Sequence, residues 1–389
     1  MLAKDIVTQE DFEYAVRIRR EIHRHPELSF DLPKTVALVE RELDAMGIEW
    51  TERYAPGSVT AMLNPKGTGI TLGLRADMDA LPVEEKTGLP YASEEPGKMH
   101  ACGHDSHTAC LLTAARVLKR YERQLPCRVK LIFQPSEECA QSGAYAMAEN
   151  GVMDDVDYVI ANHCDNGFDS GKLGWHSGDF MAACDPITID FFGKTAHATI
   201  PEQGIDTIAM AMEASAAMKS FVEAEAGSDT PHIFSVNYFH GGTAHNVIAD
   251  RCTLKLTFRY YDMEFAGRVR SGCIEICNRI AERIGGHAEI DWNMSCAPLH
   301  NDEELTACFL ESAKKVAELV ERPSRMSSED FSWFLLRKPG MLFRTGTRNE
   351  ALGCTTEAHC NDFRLDESSF RLTVEAFVQF VLDAGKLKA

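Results

Sequence analysis

The chain has 389 residues, 44% hydrophobic, 25% charged and 8% aromatic, ordinary globular values that exclude a disordered, collagen-like or coiled-coil protein. At roughly 150 residues per domain this length corresponds to two domains, one of them possible as a split domain. Forty Lys and Arg stand against 59 Asp and Glu, a net charge of -19, which repels phosphate backbones and argues against nucleic acid as a partner.

In chain order, Phe12, Ala15, Val16, Ile18 and Ile22 give residues 9 to 24 a helical period that Pro26 stops. A helix over 33 to 46 ends at Gly47, strands follow at 58 to 63 and 70 to 75, and Asp105 is placed to cap a helix over 106 to 121. A strand over 129 to 133, a helix over 142 to 149 and a strand over 158 to 161 continue the alternation of a buried α/β sheet. From residue 185 the grammar changes to strand 186–192, helix 204–222, strands 232–239 and 251–260, helix 263–284 and strand 287–293, the βαββαβ order of a ferredoxin-like module. Helices over 302–320, 328–336 and 366–385, with a strand at 341–345, return to α/β character. The expected architecture is therefore a two-domain α/β protein: a catalytic sheet domain formed by 1–184 and 297–389, with a ferredoxin-like domain, 185–296, inserted into it.

No apolar run approaches the ~18 residues of a membrane span, and the first residues lack the features of a signal peptide. Thirteen cysteines are scattered without a CxxC pair, which fits reduced thiols. A cytoplasmic protein without membrane contact is the expectation.

The densest polar cluster is Met99-His100-Ala101-Cys102-Gly103-His104-Asp105-Ser106-His107, preceded by Arg75-Ala76-Asp77-Met78-Asp79 at a strand end. Two residues apart in extended chain, Cys102 and His104 face one side and can reach one metal ion. Alone they read equally as a core thiol and a helix-start hydrogen bonder. Glu137 and Glu138 follow one predicted strand and His163 another, where α/β sheets gather their sites. Adjacent glutamates form either a solvated turn or a division of labour between a metal ligand and a proton carrier. HExxH, GxSxG, GxxxxGK[ST] and GxGxxG signatures are absent from the sequence. Cys273 and Cys277, one helical turn apart, read as core.

His-Pro-Glu-Leu-Ser at 25–29, Arg-Ala-Asp-Met-Asp-Ala-Leu-Pro at 75–82, the 99–107 cluster, Gln-Pro-Ser-Glu-Glu at 134–138, Gly-Lys-Thr-Ala-His-Ala at 193–198, Gly-Gly-Thr-Ala-His-Asn-Val-Ile at 241–248, Ser-Glu-Asp-Phe at 328–331 and Glu-Ala-His at 357–359 together resemble the M20 metallopeptidases. The resemblance is to their amidohydrolase subgroup of hippurate hydrolases, N-acyl amino acid deacylases and auxin-conjugate hydrolases, and it spans nearly the whole chain.

The resemblance implies two divalent ions, manganese or zinc, with cobalt or nickel also compatible with the donors. Cys102 would bridge them, His104 and His163 would complete one, Glu138 and His359 the other, and Glu137 would be the general base. In the wider family a His-x-Asp motif supplies a ligand where this chain has Arg75-Ala76-Asp77, which leaves Asp77 orienting a ligand from behind. His197 would stabilise the oxyanion from the partner subunit of a homodimer formed through the inserted domain, while Asn246 and Arg259 would meet the carboxylate of the substrate. That substrate is an N-acyl amino acid or similar small conjugate; a dipeptidase or aminoacylase with the same site is the alternative, followed by a non-catalytic metal-binding or thiol-regulatory protein. Two stretches depart from the subgroup, Cys164-Asp165-Asn166-Gly167-Phe168 and Glu202, and both bear on substrate choice.

Overall fold

The computed structural model describes residues 1–139 and 141–388. In chain order the strands that matter here are β1 (Trp50–Thr51), β2 (Val59–Leu63), β3 (Thr71–Asp77), β4 (Arg128–Gln134), β5 (Tyr158–Asp169), β6 (Lys172–Trp175), β7 (Ala183–Phe192), β8 (His232–Gly241), β9 (Arg251–Tyr260), β10 (His287–Trp292), β11 (Glu318–Glu321) and β12 (Gly340–Arg348). The main helices are α1 (Gln9–Arg24), α2 (Pro33–Met46), α3 (His104–Arg120), α4 (Gly143–Glu149), α5 (Thr207–Ala226), α6 (Met263–Ile284), α7 (Glu303–Ala313) and α8 (Phe370–Asp383). The chain divides into two compact units: unit 1 is Met1–Phe180 with His300–Ser324 and Asp330–Ala389, and unit 2 is Met181–Leu299 with Arg325–Glu329.

Unit 1 is an eight-stranded sheet in the order β1-β2-β4-β3-β5-β12-β6-β11. Its centre is parallel, β3 with β4 and β5, and β5 with β12. These strands are buried along most of their length, as their near-continuous apolar sequences require. α1 is opened by a capping box between Thr8 and Asp11 and buries Ala15, Ile18 and Ile22. α2 has Pro33 in its first turn and ends on left-handed Gly47.

Unit 2 has the element order βαββαβ, with an antiparallel sheet ordered β8-β9-β7-β10. One face of β7 (Ile187, Ile189, Phe191) and of β9 (Leu254, Leu256, Phe258) shares a core with α5 (Met210, Ala214, Met218) and α6 (Phe265, Val269, Ile280). Cys273 and Cys277 belong to that core, where burial pushes both thiols up to about 12. On the opposite face Cys184, Thr188 and Asp190 of β7 stand beside Thr253, Thr257 and Arg259 of β9, all partly exposed.

Several elements differ from expectation. The helix expected over 302–320 stops at Ala313, and Glu318–Glu321 become the edge strand β11, parallel to β6; Lys314-Lys315-Val316-Ala317 carries no stop signal, so the pattern ran on. The helix expected at 328–336 is only Ser332–Leu335, because the Asp330 carboxylate is committed to Arg75, Gln134 and Ser142. Asp105 is not the cap of α3: Gly103, at φ 91, is the N-cap, and the Asp105 carboxylate is held by Arg19 and His23, both at 2.7 Å. Among the described residues no helix is long and apolar enough to cross a membrane.

Candidate metal centre

The carboxyl ends of β3, β4 and β5 deliver Asp77, the Gln134-to-Glu138 segment and His163 to one region of unit 1, as parallel sheets do. Gly103 opens α3 there. A Cβ on it would stand 2.3 Å from Cys164 Sγ, so both its left-handed conformation and its surroundings demand glycine. The loop bearing the two glutamates closes where Gly143 passes Pro135, so tightly that a Cβ would meet the Pro135 carbonyl oxygen at 1.7 Å. Ser136 and His359 hold positive φ, 53 and 71, conformations that cost about 1–3 kcal/mol and collect at functional sites.

All five residues expected as ligands meet here. Cys102, His104 and His163 offer donor atoms within 4.8 Å of one another, as do Cys102, Glu138 and His359. Cys102 is thus common to both triads. His104, Glu137 and Glu138 form a further group, and Asp77, His104 and His107 another. His163 Nδ1 donates to the Cys164 carbonyl at 2.6 Å, which fixes the tautomer and leaves Nε2 facing Cys102 Sγ at 3.4 Å. His359 Nε2 lies 3.3 Å from Glu138 Oε1.

The buried donors are incompletely paired with one another. His104 is fully buried, and its ring nitrogens make no well-directed hydrogen bond, Nδ1 lying 3.4 Å from Asp79 Oδ1. His104 Nε2 instead stands 3.8 Å from carboxylate oxygens of Asp77, Glu137 and Glu138. Buried polar groups are rarely left so. Burial, then the charge of Glu138, pushes the Cys102 thiol well above its usual value, whereas burial and the positive charge of Arg344 hold His163 neutral. Thiol, imidazole and carboxylate donors converging within 4.8 Å of one another fit divalent ions.

Two residues the sequence reading did not assign complete the frame. Asp79 accepts the backbone amides of Glu137 and Glu138, at 3.0 and 3.1 Å, one on each carboxylate oxygen. His107 gives its Nδ1 proton to Asp77 at 2.6 Å and accepts the Cys164 amide on Nε2 at 2.9 Å. The signals were available: Asp79 alternates with Asp77, and His107 follows His104 by three residues. Arg75, where the wider family has a histidine, is buried and donates to Asp77, Gln134 and Asp330 at 2.8, 2.8 and 3.0 Å. Burial works against ionisation of Asp77, but His104, His107 and Arg75 hold it well below the carboxylate range.

His197, Asn246 and Arg259 belong to unit 2. His197 is exposed, pairs with Val247 across a two-residue ribbon, and precedes Ala198, whose amide donates to the Asn246 carbonyl at 3.0 Å. Arg259 donates to Ser328 Oγ at 2.7 Å. It sits at the far end of β9 from the loop that carries Asn246, about 25 Å away at ~3.3 Å per residue.

The model of Peptidase family M20/M25/M40 matches residues 73–383. The chain is 34% identical over 374 residues to "Thermostable carboxypeptidase 2" of Saccharolobus solfataricus, covering 95% of each. It is 35% identical over 355 residues to "N-acetyl-L-cysteine deacetylase" of Bacillus subtilis, covering 91% of this chain and 84% of that one. A solved structure from Bacillus subtilis, described as a dinuclear metal binding peptidase from the M20 family, superposes with a TM-score of 0.83 at 29% identity, covering 96% and 98% of the two chains. A putative aminohydrolase from methicillin-resistant Staphylococcus aureus reaches 0.93 at 28% identity, over 98% of both. The chain is a member of peptidase family M20/M25/M40.

Proposed function

We propose that the chain is a metal-dependent amidohydrolase that cleaves the amide bond of N-acyl amino acids or similar small conjugates in the cytoplasm. Cys102, His104, His163, Glu138 and His359 would hold two divalent ions, Cys102 being common to both ligand groups, with manganese or zinc the expected ions and cobalt or nickel compatible. The observation that carries this is the fully buried His104, whose Nδ1 faces Asp79 at 3.4 Å while its Nε2 stands 3.8 Å from carboxylate oxygens of Asp77, Glu137 and Glu138 without a hydrogen bond. Bound divalent ions polarise a scissile carbonyl and acidify water. Glu137 takes the proton of the attacking water and passes it to the departing amine. Its backbone is held for this by Asp79. Asp77 orients the histidines from behind. Arg259 grips the carboxylate of the substrate, for which a guanidinium is suited.

The separation of Asn246 from Arg259 supports a shared site, in which His197 and Asn246 serve the partner subunit of a two-fold homodimer and His197 stabilises the oxyanion. Mixed after dissociation, inactive Glu137→Ala and His197→Ala chains should recover roughly a quarter of wild-type activity, since half the dimers are mixed and each has one complete site. A mixture that stays inactive although heterodimers form refutes the sharing alone.

The hydrolase reading is tested by elemental analysis of the purified protein, with turnover of N-acyl amino acids compared with that of dipeptides. Two ions per chain and a higher kcat/KM on N-acyl amino acids are expected. Preference for dipeptides would favour a peptidase, the reading to which the Saccharolobus relative's name points, and metal binding without turnover of either class would sink both.

A further inference from the structure

We propose that Cys184 and Cys296 are a reversible thiol–disulfide pair within unit 2. Both carry thiols and both are partly exposed, unlike the buried Cys252, Cys273 and Cys277 of the same unit. Cys184 is the second residue of β7, and Cys296 follows β10, so the pair joins the strand that opens unit 2 to the segment near its end at Leu299.

The two residues are directly opposed in an antiparallel bridge. The Cys184 amide donates to the Cys296 carbonyl at 3.0 Å and the Cys296 amide returns a bond to the Cys184 carbonyl at 3.4 Å. Such a reciprocal pair has Cα atoms about 5.5 Å apart and side chains on one face, inside the ~4.4–6.8 Å that a disulfide spans. The register is held from a second side: the backbone amide and the hydroxyl of Ser295 both donate to the Cys184 carbonyl, at 2.8 and 2.9 Å. A hydrogen-bonded pair holds its Cβ atoms near the long end of the ~4.5–5.5 Å cross-strand range, and a disulfide needs ~3.5–4.5 Å, so joining the sulfurs draws the two strands about 1 Å closer at this bridge. In the other direction across the sheet Cys184 is paired with Arg259, so the bridge would form on the partly exposed face, away from the α5–α6 core.

The oxidant is a low-molecular-weight disulfide. One cysteine thiolate attacks it, expelling one thiol and forming a mixed disulfide; the second cysteine thiolate attacks the protein sulfur of that mixed disulfide and expels the other thiol. The protein loses two electrons and two protons, and the small disulfide is reduced to two thiols. This pair stands independently of the hydrolase reading, since neither cysteine belongs to the metal cluster.

The test is to incubate the metal-loaded, full-length protein with oxidised glutathione, block remaining thiols and map the digest without reduction. A linked peptide containing Cys184 and Cys296, lighter by two hydrogens than its reduced parts and lost after dithiothreitol, is expected. In Cys184→Ser the glutathione adduct should remain trapped on Cys296, and in Cys296→Ser on Cys184, at several times the wild-type level. Stable glutathione adducts on both cysteines of the wild type without a link would overturn the proposal. So would unreacted Cys184 and Cys296 in a sample whose exposed Cys139 and Cys360 are modified.

Discussion

The two units bury different things. Unit 1 encloses Arg19 and Arg75 with Asp77, Asp105, Asp330, His23, His104 and His107, whereas among the described residues of unit 2 the buried polar side chains are Asp185, Thr207 and Glu329. Ionised groups removed from water need partners of matched charge, and unit 1 supplies them through networks that run from α1 through α3 to the carboxyl ends of β3 and β4. Unit 2 keeps an apolar core and carries its polar residues on the free sheet face and in loops. Buried charge is thus concentrated in unit 1, while most polar residues of unit 2 can change without disturbing its core.

The largest effect expected from this contrast is on turnover. Glu137→Gln should lower kcat about 10³-fold, within the ~10²–10⁴ range of general acid–base catalysis, with metal content kept; Glu138→Ala should lose metal as well. Equal metal loss in both variants would break the assignment. Next are two core substitutions of similar size and different cause. Arg75→Met leaves the carboxylates of Asp77 and Asp330 without their guanidinium and should cost about 3–5 kcal/mol, with metal occupancy reduced. Phe258→Ala opens a cavity in unit 2 and should cost about 3–5 kcal/mol, with occupancy unchanged. Urea unfolding beside elemental analysis separates the two, and metal loss in Phe258→Ala would show that the cores are not independent.

Smaller effects should differ in sign. Burial alone would raise Asp11 of unit 1, but its hydrogen bonds with Arg120 and Thr8 hold it below the carboxylate range. Its contribution is therefore present above the unfolded value of ~3.9 and is lost as pH falls through the lower folded value, so Asp11→Asn should cost about 1–2 kcal/mol at pH 7 and less in acid. Asp185 of unit 2 is raised by burial, despite accepting from Trp292 Nε1 at 2.7 Å and Tyr260 Oη at 3.0 Å. The native state then favours the protonated form, so ionised Asp185 opposes folding at neutral pH and that opposition fades as pH falls through the raised value towards ~3.9. Asp185→Asn should stabilise slightly at pH 7 and give no gain near pH 4. The stability of each variant relative to wild type, followed from pH 7 to 2, gives both slopes, that of Asp185→Asn above pH ~4 and that of Asp11→Asn below it; slopes of the same sign would remove the electrostatic contrast between the units.

Much of the local structure was legible in the sequence because capping and period agree with packing. The pattern gives α1, α2, α6 and β9 with the observed bounds, since Thr8, Pro33, Gly47, Asp262 and Gly285 mark ends that tertiary contacts do not override. β11 was illegible because Glu318–Glu321 is an edge strand with charged ends, and its only reason to be extended is β6. Asp105 and Asp330 misled in another way: each has a local role as a cap or a helix residue, and each is taken instead by a buried partner far away in the chain. The meeting of five ligands was legible only as recurring motifs, because spacing cannot show that Cys102 and His359 share a centre. Asp79 alternates with Asp77 in the sequence, but its role, holding the Glu137 and Glu138 amides, depends on contacts that spacing does not show.

β12 lies between β5 and β6 at the heart of the large sheet, although it begins only at residue 340. During translation the free edge of β5 therefore waits for some 170 further residues, about ten to thirty seconds at roughly 5–20 residues per second. Unit 2 is nearly continuous in sequence and is synthesised within that interval, so it can mature first. A nascent chain stalled before residue 340 would display an unpaired parallel strand beside a finished neighbour, the kind of exposed edge that recruits other chains, and ribosome-associated chaperones would be needed most in that window.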